Sequence, residues 1–383
     1  MFRYRLLLCA ATLSLFAVHP MLFANVQVGT CKANLQSFPT ISAAISSVRP
    51  GSTILVCPGT YPEQVTITQP LTLQGVSSGT ANQVLITVPS GGLLPNAISL
   101  FGESVAAQVL VQGAGPVNIS NISVDGTGGD MACVSNIWIA GIFFGSSSSG
   151  SVNRVRTSGQ IDGTCGVGIW AENGDSSSES ITIQQSTVYN VDGGGIFAGS
   201  GATPTLSVNA HDNVVTSSTA LAGILLNGVN GVVRANDISN VLVGVFDVAP
   251  AVQVAANTIL ATGYGMLLLG GGTVINNDIS GTNVGIVLGG PGATIQGNHI
   301  LSSSTIGVEL SCLAASVTNN LINDAAVGID QAPVGVGGSN TFANTVTTIA
   351  NSCGFAPASS AAMRARSLAQ WHTPATPFGT RRK

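Results

Sequence analysis

Arg154 and Arg156, separated by a single valine, stand in a stretch that also holds Asp125, Asp130, Asp162, Glu172, Asp175, Glu179 and Asp192. Three chemistries suit such a set. Paired carboxylates act as general acid and base on a glycosidic bond, carboxylate oxygens bind Ca²⁺, and an arginine beside a bound uronate can serve as the base of an elimination. The expected catalytic set is Arg154, Arg156, Asp162 and Asp192, with Glu172 and Asp175 on the substrate. The plainer reading, that the arginines only neutralise acids on neighbouring loops, carries more weight. His211 and His299 lie about four repeats apart and cannot share a metal ion, and no CxxC or HxxxH spacing favours zinc or copper. Ca²⁺ is the one ion the carboxylates would suit, and no resident cofactor is expected.

The elements that position these residues form a repeat. Glycines at 141, 168, 195, 223, 244, 265, 285, 307 and 328 recur at intervals of 27, 27, 28, 21, 21, 20, 22 and 21 residues, the mark of a solenoid. Each unit contains short period-2 stretches rich in Val and Ile between Gly, Asn and Ser, with no pattern long enough for a helix. Stacking such coils at ~4.8 Å pairs each strand with the one above and buries an inward face that no single coil could bury. The expected architecture is all-β: a single-stranded right-handed parallel β-helix of roughly a dozen coils.

Two aliphatic columns must point inward. One follows the glycines (Ile142, Ile169, Ile196, Ile224, Val245, Met266, Ile286, Val308, Ile329), and the other runs Val188, Val215, Ile238, Ile259, Ile279, Ile300, Ile322. Two residues before the second column stand Asn213, Asn236, Asn257, Asn277, Asn298 and Asn320, placed to stack their amides in a corner ladder. Asp247 breaks an inward column without explanation from the sequence. Alternation sends Phe143, Trp170, Phe197, Leu225, Phe246, Leu267 and Val287 outward. Left in water, side chains of this size forgo ~1.5–3 kcal/mol each, so a cover is expected. Three covers compete: the protein's own loops or a helix over Ser359–Trp371, a partner or second copy, and a glycan stacked on Phe143, Trp170 and Phe197.

Arg3 and Arg5 ahead of the apolar run Leu6–Val18 read as a secretory signal ending near Ala24, which predicts a secreted or periplasmic protein with no membrane span. Six cysteines then remain, Cys31, Cys57, Cys133, Cys165, Cys312 and Cys353. Three disulfides are expected in an oxidising compartment, and sequential pairs are favoured because residues one coil apart are close. Over residues 25–360, 16 acidic side chains face five basic ones, a net of about −11 that argues against nucleic acid. The expected organisation is signal 1–24, N-terminal cap 25–51, β-helix 52–353 and basic tail 354–383.

Residues 40–48 place Ile41, Ile45 and Val48 on one face of a short helix able to cap the first coil. With P-G-S-T-I-L-V (50–56), P-G-T-Y-P-E (58–63) and L-T-L-Q-G (71–75), this segment resembles the N-terminal region of pectin methylesterases and the wider pectin-lyase-like superfamily. The later G-I-x-L and N-x-I units resemble β-helix repeats of carbohydrate-binding and sugar-hydrolase proteins, so the resemblance covers roughly residues 38 to 335. It implies the fold and a polysaccharide partner. The chemistry of the family is absent: G-N-Q-D-T-L and D-F-I-F-G of the methylesterases, N-T-D, D-D and G-H-G of polygalacturonases, R-x-P-x-x-R of pectate lyases and D-P-H of alginate epimerases do not occur. The sequence therefore points to an exported β-helix that binds or acts on polysaccharide, with binding favoured. The alternatives are a lyase or hydrolase at the acidic coils, and a structural protein assembling through its apolar stripe.

Overall fold

The computed structural model describes residues 25–353 except 78–82, 130–132, 134–136, 162, 202, 204, 250, 334, 335 and 337. The signal, the basic tail with its expected helix over Ser359–Trp371, Asp130 and Asp162 lie outside the described residues.

Among the described residues, two sheets of 13 and 23 strands, parallel except for the short strand Ala97–Ile98, wrap one core. A typical coil gives one strand to the smaller sheet (Glu179–Gln184) and two to the larger (Thr187–Tyr189 and Gly194–Ser200). Successive coils stack in register, so Val188 faces Val215 and Ile196 faces Ile224. Both predicted inward columns are buried.

The glycine column has a steric cause. A Cβ on Gly195, Gly223, Gly244 or Gly265 would lie 2.3 Å from a branched methyl of Val215, Ile238, Ile259 or Ile279, and 2.5 to 2.8 Å from the carbonyl oxygen of the next glycine. The β-branched column and the glycine column therefore require each other. Between the two sheets a residue takes the left-handed conformation in coil after coil, including Arg154 (φ 53), Gln185 (φ 50), Asp212 (φ 56), Ala235 (φ 52) and Ala256 (φ 54). Such residues cost of order 1 kcal/mol or more each. They turn the following residue into the interior, Val155 and Ser186 in the first two of these coils and an asparagine in the next three, where its amide is fully bonded. Asn236 Nδ2 donates to Asn257 Oδ1 at 2.9 Å and to the Ala210 carbonyl at 3.0 Å, while its backbone N–H donates to Asn257 Oδ1 at 2.9 Å. The same amide-to-amide bond repeats from Asn213 to Asn340.

The helix Ile41–Ser47 closes the N-terminal end, burying Ile41, Ala44 and Ile45. Thr40 Oγ1 caps it by accepting from Ala43 N–H at 3.1 Å, and the Glu63 carboxylate accepts from Ile41 and Ser42 N–H at 2.8 and 3.0 Å. The cysteines pair sequentially, Cys31–Cys57, Cys133–Cys165 and Cys312–Cys353, with Cα separations of 5.7, 5.6 and 5.7 Å.

Asp247 interrupts the inward column to close a turn. It sits inside the core between Leu226 and Leu268, and its Oδ1 closes the turn by accepting from Ala249 N–H at 2.7 Å while Oδ2 has no hydrogen-bond partner among the described residues. Burial pushes its carboxyl up to about 7, against the pull of the Ala249 N–H. The folded state thus holds the proton more tightly than the unfolded chain, and stability from this group falls as pH rises from about 4 past 7. Asp247→Asn keeps the turn acceptor and should flatten the decline in melting temperature between pH 5 and 8; an unchanged slope would refute this account. Gly244→Ala should destabilise by about 1–3 kcal/mol in denaturant titrations, since backbone and branched side chain must both shift.

Candidate functional site

The outward column stacks in the register expected from the repeat, Phe143 on Trp170, Trp170 on Phe197 and Phe197 on Leu225. It is not an open platform. Phe143, Trp170 and Phe197 are 0%, 1% and 1% exposed, with ring centroids 5.1 Å (Phe143–Trp170) and 5.2 Å (Trp170–Phe197) apart. They belong to a second apolar cluster, outside the coil core, that also includes Leu110, Trp138 and Leu267. Part of the cover is an excursion between the strands Val84–Thr87 and Ser104–Val111. Its strand Ala97–Ile98 runs antiparallel to Ser104–Val111, and Phe101 lies 6.1 Å from Phe197. A glycan platform on these rings is thereby corrected to a packing layer, because the apolar area was large enough to recruit a loop of the chain itself.

Glu172 ties that loop down. Its carboxylate, 2% exposed, accepts from Leu100 N–H at 2.6 Å and from Trp170 Nε1–H at 3.1 Å. Burial pushes its carboxyl up to about 8; the two N–H donors pull it down and Glu103 adds to the rise. The other expected carboxylates are engaged separately. Asp192 is buried and accepts from Gly166 N–H at 2.7 Å, Asp175 is exposed and accepts from the Ser147 hydroxyl, and Asp125 closes a turn by accepting from Thr127 N–H at 2.9 Å. Among the described residues, no three His, Cys, Asp or Glu side chains converge as metal ligands.

What does come together lies at the corner of the left-handed turns. Asn153, Gln184, His211 and Arg234 are register neighbours on four successive coils. The turn residues beside them are Arg154, Gln185, Asp212 and Ala235. Beyond the turn, Arg156, Thr187, Val214 and Asp237 form the next row. Arg154, Arg156, Asp212, Arg234 and Asp237 are exposed. The Arg156 guanidinium stands 4.5 Å from the centre of the Tyr189 ring, and His211 Nδ1 lies 2.7 Å from Asp212 Oδ2. Three of the five Lys and Arg side chains of residues 25–353 thus share one corner. With the buried His211 between them and Asp212 and Asp237 beside them, these side chains span three coil steps, ~14 Å at ~4.8 Å per coil. His299 stands elsewhere, on the outer face of the larger sheet, paired with Asp278 at 2.9 Å.

Sequence reasoning found Arg154 and Arg156 but not their company. The signal was present: His211 and Arg234 precede the ladder residues Asn213 and Asn236 by two positions, as Gln184 precedes Ser186.

Solved structures settle the hand of the coil. The A-module of the Azotobacter vinelandii mannuronan C-5 epimerase AlgE4 matches with a TM-score of 0.59, covering 82% of this chain and 92% of that one at 16% identity. The fold is a right-handed parallel β-helix. More distant matches include the pectate lyase Pel9A (13% identity, TM-score 0.41, covering 79% of each chain). The Dettilon tailspike protein also matches (14% identity, TM-score 0.46, covering 78% of this chain and 62% of that one). No family model matches this β-helix, and no curated protein is similar to it in sequence.

The Glu172 clamp has a definite pH sign. Its folded value lies above the ordinary carboxylate range, so the clamp is favoured at low pH and weakened as pH rises through about 8 and charge accumulates in a dry site. Limited proteolysis should cut the wild-type segment 89–103 several-fold faster at pH 9.5 than at pH 7. The Glu172→Ala variant should be cut readily at both; a wild-type rate flat across that range, after correction for the protease's own profile, would contradict it.

Proposed function

We propose that this chain is an exported protein that binds an acidic polysaccharide along the corner carrying Arg154, Arg156, His211 and Arg234. The observation that carries this reading is the gathering of the scarce cations on a body of strong negative charge. Scattered arginines would serve to neutralise acids locally; Arg154 and Arg156 on one coil and Arg234 three coils further along the same corner suit a ligand that is itself a charged repeat. Guanidinium forks bind carboxylates through two parallel hydrogen bonds, and such charge-assisted contacts are the strong ones. Tyr189, beneath Arg156, offers a ring beside the charge. Export is supported by the signal-like residues 1–24 and by three disulfides, which persist in oxidising compartments. The epimerase of similar fold is named for mannuronan, a precedent for this fold on such a ligand.

A second reading is favoured by the His211–Asp212 pair. Asp212 holds Nδ1 at 2.7 Å, an arrangement that fixes the ring and leaves Nε2 to exchange a proton with a ligand held by Arg234 on the adjacent coil. The corner would then act on the polysaccharide it binds. Asp192, bonded to Gly166 N–H, has no part in either reading.

Titration calorimetry of the mature protein with a polyuronate and with a neutral glucan tests the proposal. The polyuronate should bind more tightly, its affinity should fall with salt, and the double variant Arg154→Ala/Arg234→Ala should lose at least about tenfold, or 1.4 kcal/mol. Equal affinity for both polymers, or an unaffected double variant, would sink it. Turnover abolished in His211→Gln would favour the second reading over simple binding.

A further inference from the structure

The two ends of the solenoid differ. The N-terminal end is sealed by the helix Ile41–Ser47, whereas the C-terminal end stops with its repeating features unfinished. Ala315–Thr318 is the last strand of the smaller sheet, and Thr341–Ala343 and Thr347–Ala350 are the last of the larger; among the described residues their far edges are unpaired. The asparagine ladder ends the same way. Each earlier amide donates to the asparagine of the next coil, but among the described residues Asn340 Nδ2 donates only to the Val317 carbonyl, at 2.9 Å. The core is open there too: Ile349 is 37% exposed although it continues the buried column of Ile329. A groove of about 780 Å³, lined by Thr294, Ala315, Val317, Val336 and Ser339 among others, crosses the last coils beside this end.

We propose that this end is a docking surface for the chain's own residues 354–383, which close the solenoid as the N-terminal helix closes the other end. Three observations favour this occupant. The segment begins at the surface, because Cys353 is held to Cys312 in the terminal coils by a disulfide. Its first 18 residues supply the apolar groups such an end needs, Phe355, Met363, Leu368 and Trp371. The charges also match. Residues 301–353 carry Glu309, Asp324 and Asp330 and no Lys or Arg, while residues 354–383 carry Arg364, Arg366, Arg381, Arg382 and Lys383 and no acid. Unpaired parallel edges beside an open core invite association with another chain, so an internal cap also keeps the protein from stacking end to end.

Hydrogen exchange and sedimentation on the mature protein and on a chain ending at Cys353 test this. In the full chain, the amides of Thr341–Ala343 and Thr347–Ala350 should be protected and the protein monomeric. In the shortened chain they should exchange at least tenfold faster and the protein should self-associate, and added peptide 354–383 should reverse both effects. Equal exchange in the two chains overturns the proposal, as does a full-length dimer whose end protection disappears on dilution, which would make a second copy the occupant. Should the shortened chain fail to fold, tryptic cleavage after Arg364 and Arg366 in the full chain decides the matter: Ile349→Asp should accelerate it several-fold, and an unchanged rate refutes the docking.

Discussion

Everything in this molecule hangs on the contact between a glycine and the branched side chain that occupies the place of its missing Cβ. At 2.3 Å from the notional carbon, the Ile238, Ile259 and Ile279 methyls leave no freedom in how one coil sits on the next. A slip of one residue would put a Cβ into that space and turn each inward column outward. The register so fixed brings the asparagines into line, and the ladder then satisfies polar groups that the left-handed corners carry into the interior. Steric exclusion sets the alignment, and hydrogen bonding rewards it.

The same register produces the outer layer. Alternation along a strand that is aliphatic inside and aromatic outside leaves Phe143, Trp170 and Phe197 in a stack with no water-compatible face. The chain answers with an excursion whose tip is held by one buried carboxylate. The result is a protein with two apolar clusters, one inside the coils and one between coils and loop. The aromatic column is thereby closed to solvent, whereas at the corner, where the strands of the smaller sheet end, side chains such as Arg234 emerge into water.

The coil columns, the capping helix and the sequential cysteine pairs were legible in the sequence because each follows from periodicity: a repeat near 21 residues places equivalent positions one above another. What escaped was set by irregularity. The loop that covers the aromatic stack lies between Val84–Thr87 and Ser104–Val111, in a region whose spacing obeys no repeat, and nothing in its residues announces a partner more than 70 positions away at Glu172. Asp247 breaks an apolar column without a reason visible in the repeat, because its turn bond to Ala249 is local and independent of the repeat. The cationic corner was half seen. Arg154 and Arg156 are neighbours in sequence, whereas His211 and Arg234 join them only when the ladder asparagines are used as a ruler.

The left-handed turns carry a consequence for how such a protein can change. Arg154, Gln185, Asp212, Ala235 and Ala256 occupy equivalent places, each exposed at the surface and each preceding a residue that holds the interior. The backbone there is fixed by the neighbouring coils, and the side chain has no packing duty. The turns form a row of sockets at the coil spacing, into which Asn, Asp, Gln, Arg or Ala can be set independently of one another. Altering the pattern of charge along the corner therefore needs no repacking of the core, and a lineage can acquire a new ligand one socket at a time while the scaffold beneath stays the same.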